Sequence, residues 1–157
     1  MTSSARTSGF GHVAILTNDT DRLHRFYQEV FGATVSEVEQ QPGFRLSLIN
    51  VGPHSELNVF QIDGNTEAER QTPMFGRGRI DHLALQAASF DDFVAIRQSV
   101  MDRGSADAFV TDFGPLLSVF FTDPDGLECE VTVPNPDMVP GVMNPPGTPA
   151  ARFAEAQ

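Results

Sequence analysis

Apolar positions recur every third or fourth residue in two stretches of the chain and every second residue in most of the others. Leu23, Phe26, Tyr27, Val30 and Phe31 fall at i, i+3, i+4, i+7 and i+8, the stripe of an amphipathic helix over 20–31. Asn18-Asp19-Thr20 supplies N-cap chemistry before it, and Gly32 closes it. His24 lies off that stripe and is expected at the surface. A second stripe, Phe93, Ile96, Val100 and Met101, predicts a helix over 89–103, with Ser89 as cap, Asp92 as a capping-box partner and Gly104 just beyond its end. Alternation predicts strands over 10–17, 35–39, 44–51, 57–62, 80–86, 108–113, 116–122 and 127–133. Gly52-Pro53-His54-Ser55 reads as a hairpin connection, with His54 exposed.

The order of these elements repeats. His12 and His82 stand 70 positions apart, and that offset lays Val13-Ala14-Ile15 on Leu83-Ala84-Leu85, Asp21 on Asp91 and Val30 on Val100. Towards the end of each half the offset grows by two, which lays Leu57-Asn58-Val59 on Cys129-Glu130-Val131. Each half therefore reads β-α-β-β-β, as module one (10–62) and module two (80–133) joined by a polar, Gly-rich linker (63–79). Residues 1–9 are small and polar and read as a disordered lead-in. Residues 134–157 form a tail crowded with Pro134, Pro136, Pro140, Pro145, Pro146 and Pro149, which excludes a helix or a central strand. Met138, Val139, Val142, Met143 and Phe153 suit docking on the body or on a second subunit, and a loose extension is the alternative.

The last strand follows Asp123-Pro124-Asp125-Gly126, a turn in which proline pre-sets one dihedral and glycine takes a positive φ. Beyond it Leu127, Cys129, Val131 and Val133 share one face, and Glu128, Glu130 and Thr132 the other. The repeat makes His12, Asn58, His82 and Glu130 equivalent in pairs, so modules facing each other about a pseudo-twofold axis would bring them together. Taken singly, each is an ordinary half-buried polar residue. Taken together, two imidazoles and a carboxylate are the set that holds Fe(II), and would equally suit Mn, Co, Ni or Zn with positions left open for substrate. Ala14 and Ala84, two residues beyond the histidines on the same faces, leave room beside such an ion.

Composition narrows the partners. The chain of 157 residues carries a formal net charge of −11, with a pI near 4.5. That surface repels phosphate backbones and anionic lipid, so neither nucleic acid nor membrane is an expected partner. No apolar run reaches the ~20 residues of a membrane span, and the first nine residues lack the apolar core of a secretory signal. A soluble, cytoplasmic protein is expected. Cys129, the single cysteine, falls on the apolar face of its strand and reads as buried filler. Arg77 and Arg79 border the second histidine strand and are the candidates for holding one carboxylate or phosphate.

Gly11-His12-Val13-Ala14, the helix with Phe26-Tyr27 and Phe31-Gly32, Asp81-His82-Leu83-Ala84, and Asp123-Pro124-Asp125-Gly126 followed by Glu130 resemble the vicinal oxygen chelate superfamily. That group includes glyoxalases, extradiol dioxygenases, fosfomycin-resistance transferases, methylmalonyl-CoA epimerases and bleomycin-binding proteins. The resemblance spans residues 10–133 and implies an α+β fold of two βαβββ modules forming an open barrel-like cleft. It also implies a divalent metal held by His12, His82 and Glu130. Similar glyoxalases carry Glu where this chain has Asn58, and the epimerases carry Gln. Glu56 shares the face of Asn58, and a slip of one pair in register would bring it in. Extradiol dioxygenases need His and Tyr near the metal, whereas Tyr27, the one tyrosine, belongs to a helix stripe. The bleomycin-binding type lacks the metal set. The resemblance thus implies a metal-dependent, glyoxalase-like enzyme doing isomerase or lyase chemistry on a small oxygen-chelating substrate, and a homodimer. A ring-cleaving dioxygenase and a non-catalytic drug-binding protein are the alternatives.

Overall fold

The computed structural model describes residues 10–73, 75, 76 and 78–156; the expected lead-in and Arg77 lie outside the described residues. The chain forms two compact units, one running to Glu69 and the other starting at Arg70, so the division falls inside the expected linker.

In the first unit β1 (Val13–Leu16), α1 (Thr20–Phe31), β2 (Thr34–Gln41), β3 (Phe44–Gly52) and β4 (Ser55–Ile62) follow in order. Their sheet has the order β1-β4-β3-β2, with β1 parallel to β4 and the other pairs antiparallel. In the second unit β5 (Leu83–Gln86), α2 (Phe90–Asp102), β6 (Thr111–Asp112), β7 (Leu116–Thr122) and β8 (Glu128–Pro134) give the order β5-β8-β7-β6, again with one parallel pair. Each unit is thus a β-α-β-β-β module of the α+β class, and neither sheet closes into a barrel. The repeat holds at residue level. Ala14 stands opposite Asn58 in one parallel ladder and Ala84 opposite Glu130 in the other.

The helices form where their caps dictate. Asp19 is extended at φ −149° and its carboxylate accepts the Arg22 amide, while Gly32 takes φ 64° and sends its N–H back to Gln28. On α1, Leu23 and Tyr27 are buried with Ile49, Leu57 and Val59 of the sheet. On α2, Phe93 and Val100 are buried with Val119, Phe121, Cys129 and Val131. Each such side chain contributes about 1.5–3 kcal/mol by leaving water.

The outer strands depart from the expected ranges. The strand expected over 10–17 begins at Val13, and that expected over 80–86 begins at Leu83, so His12 and His82 lie in the approach to a strand rather than in it. Both β1 and β5 stand at the edge of their own sheets, and their ladders open just after each histidine. The strand expected over 108–113 shrinks to Thr111–Asp112, and the tail lies along its outer edge. Asp112 N–H donates to Thr148 O, Ala150 N–H donates to Val110 O, and Thr111 bridges Pro149.

The tail is therefore docked, not loose. Against the expectation of no helix in the tail, the proline-free run after Pro149 forms a short 3-10 helix, Ala151–Ala156, and the tail buries Ala150 and Phe153. The Phe153 ring packs against Phe90 and Phe93, with the Arg97 guanidinium 5.0 Å from its centroid. Phe153 is thus used within its own unit, whereas Met138, Val139, Val142 and Met143 remain exposed.

Candidate functional site

Strand β8 is launched by the turn the sequence marks. Asp123 Oδ1 accepts from the amides of Asp125 and Leu127, and Gly126 sits at φ 85°. Burial pushes the Asp123 carboxyl up to about 6 in spite of those donors. From there the alternation sends Cys129 and Val131 into the core and turns Glu130 to the other face, where its side chain is still largely buried.

Both oxygens of Glu130 have a polar neighbour. The Ser118 hydroxyl, on neighbouring β7, donates to Oε1 at 2.5 Å. Oε2 stands 3.3 Å from His82 Nε2. On its far side the imidazole places Nδ1 2.9 Å from Asp81 Oδ2, and the edge of the ring meets Phe120. An ionised Asp81 only accepts, so Nδ1 carries a proton and donates. With Nδ1 as the only protonated nitrogen, the ring presents the Nε2 lone pair to Glu130 Oε2. In that form two acceptors face each other at 3.3 Å, an arrangement that a cation or a proton between them relieves.

In the first unit Asn58 occupies the position that Glu130 has in the second. Its Oδ1 is buried and has no hydrogen-bond partner among the described residues. Glu56 is half-buried on the same face and pairs with Asn50 of β3. His12 is exposed just before β1; Ala14, Ala84 and Arg79 are exposed as well. The structure thus joins His82 to Glu130 within one unit. Among the described residues, no three His, Cys, Asp or Glu side chains gather into a group able to hold a metal ion. The His82 nitrogen and the Glu130 oxygen fit a divalent cation as half of a ligand set.

Two arrangements escaped the sequence. Ser118 could not be tied to Glu130 before the β7–β8 register was known. His24, expected at the surface, is buried, with Nε2 2.7 Å from Ser47 Oγ. Burial pushes its imidazole below the usual range, although Glu37 stands 3.8 Å from Nδ1. Its spacing was informative, since His24 follows Thr20 by four residues and precedes Tyr27 by three, and both are buried.

Comparison with solved structures bears on the fold. A glyoxylase/bleomycin resistance protein/dioxygenase domain from Frankia sp. EAN1pec matches at TM-score 0.66 and 19% identity, over 83% of this chain and 95% of that one. A lactoylglutathione lyase from Agrobacterium tumefaciens matches at TM-score 0.56 and 19% identity, over 82% and 96%. The fosfomycin resistance protein FosX from Listeria monocytogenes, complexed with Mn(II) and sulfate, matches at TM-score 0.60 and 14% identity, over 83% and 95%. No match was found among curated protein sequences. Two equivalent β-α-β-β-β units accord with these likenesses, and the family model covers residues 9–131: the chain belongs to the Glyoxalase/Bleomycin resistance protein/Dioxygenase superfamily.

Proposed function

We propose that this protein is a metal-dependent, glyoxalase-like enzyme that takes a small substrate by two neighbouring oxygens and carries out isomerase or lyase chemistry. The observation that carries the reading is the 3.3 Å approach of His82 Nε2, a potential metal-ligating nitrogen, to Glu130 Oε2. In this reading His82 and Glu130 are two protein ligands. His12, the repeat counterpart of His82, is the third, and Asn58 is a neutral neighbour whose buried oxygen awaits a donor or a cation. A divalent ion of Fe, Zn, Ni, Co or Mn would supply Lewis acidity to the substrate oxygens. His82 contributes a neutral nitrogen and Glu130 one negative charge, while the small side chains of Ala14 and Ala84 leave their strands open to a ligand. A fold neighbour named as a Mn(II) complex and another named as a lyase are in keeping with this chemistry. The assembly in this reading is a homodimer in which exposed Met138 and Met143 are covered.

Elemental analysis of protein purified without added metal tests the proposal. Near-stoichiometric divalent metal is expected, with most of it lost in His82→Ala and Glu130→Gln and none in His54→Ala. Iron together with consumption of catechols would move the reading to ring-cleaving dioxygenation. Absence of metal from the parent, after incubation with each of the five ions, would sink it in favour of a binding protein.

A further inference from the structure

The two units share a register but not their polar surroundings. In the second, His82 follows Asp81, and Glu130 has the Ser118 hydroxyl on the adjacent strand. The repeat maps Asp81 onto Gly11, because the histidines are equivalent and each is preceded by one of these residues. It maps Ser118 onto Leu46, because Ser118 stands opposite Thr132 and Leu46 opposite Phe60, the counterpart of Thr132. Where the carboxylate is replaced by Asn58, the hydroxyl that would steady it is absent too, and the Asn58 oxygen has no partner among the described residues.

We propose that Asp81 and Ser118 are positioning residues that make the second unit the preassembled half of the cation site, Asp81 fixing His82 as the Nδ1–H tautomer and Ser118 turning Glu130 Oε2 toward it. The inference rests on the reading of His82 and Glu130 as ligands. Asp81 spans two jobs: Oδ2 accepts from His82, and Oδ1 accepts from the Phe75 amide. That second bond holds the carboxylate in place from the preceding segment, where Phe75 adopts φ 67°, an unusual value for a residue other than glycine. Ser118 is fully buried, so its hydroxyl has no water to turn to and its bond to Oε1 is durable. An imidazole whose second nitrogen is bound to a carboxylate is oriented and made more basic, and losing such a partner typically weakens metal binding 10–100-fold.

The test uses the full chain labelled with 15N-histidine, first without metal at pH 8, by two-bond 1H–15N correlation. The His82 ring is expected as the Nδ1–H tautomer in the parent and in Asp81→Asn, which keeps an acceptor, and as a mixture in Asp81→Ala. Titration with Co(II), read by visible absorption, should then show affinity about 10–100-fold lower for Asp81→Ala and for Ser118→Ala. Asp81→Asn should fall by less than Asp81→Ala. An Nε2–H tautomer in the parent would overturn the inference, as would unchanged tautomer and affinity in Asp81→Ala. The expected tautomers in a protein that binds no Co(II) would support the role of Asp81 on His82 while overturning the metal-site reading and, with it, the role given to Ser118.

Discussion

Asp123 illustrates how a single side chain can serve geometry at the expense of stability. Its carboxyl shapes the turn before β8, yet burial raises it from 3.8 to about 6. A carboxyl raised in the folded state favours folding fully below its unfolded value and loses that contribution as pH rises through about 6. By neutral pH the penalty reaches roughly 3 kcal/mol. Asp123→Asn keeps an oxygen acceptor for the two amides and removes the charge. It should be more stable than the parent by about 1–3 kcal/mol at pH 7.5 and no more stable at pH 3.5. Urea unfolding at both values checks this, and a difference independent of pH would refute it. His24 acts in the opposite sense: its imidazole is depressed, so its contribution is present above ~6.5 and lost as pH falls below that. Subtracting the variant from the parent isolates Asp123. The Asp-Pro-Asp-Gly string made the turn legible, but no string reveals how deeply a turn is buried. His82 and Glu130 were legible through the repeat. Their partner Ser118 was not, because it lies on a different strand and its relation to Glu130 is one of register.

At the scale of elements, the helices were readable to within a residue or so, since both their apolar stripes and their caps are local. Gly32→Ala meets no atom within 4 Å, so its expected cost of about 1–2 kcal/mol is the strain of φ 64° alone. Asp19→Ala should cost about 1 kcal/mol through the lost cap on Arg22 N. Thermal unfolding of the two single variants measures both; Gly32→Ala at no cost would mean that the helix ends differently. The edge strands were less readable, because an edge is decided by what lies beside it. Residues 108–113 alternate well enough for a long strand, yet only two of them keep the ladder with β7, and the returning tail lies on their outer side. The tail is fastened by Phe153. Its truncation to Ala should destabilise the second unit by about 3 kcal/mol, measurable by denaturant unfolding.

For the molecule as a whole, charge and edges set the behaviour. With a net charge of −11 the chain repels itself, so the melting temperature should rise by several degrees when NaCl is raised from about 10 to 300 mM. A melting temperature unmoved by salt would show that repulsion is not a significant term. The Glyoxalase/Bleomycin resistance protein/Dioxygenase repeat gives each unit an exposed outermost strand, and the two units deal with it differently. In the first, β2 carries Glu37 and Glu39 and a bulge between them, devices that discourage a neighbour from pairing. In the second, β6 relies on residues 142–150 of its own chain, with Val142 O passing so close to Gly114 that a Cβ there would lie 2.3 Å from it. A chain ended at Pro134 would leave β6 as an adhesive template, and it should sediment faster or precipitate where the full chain does not; a synthetic peptide covering residues 138–156, added in trans, should return it to solution by re-laying the missing strand.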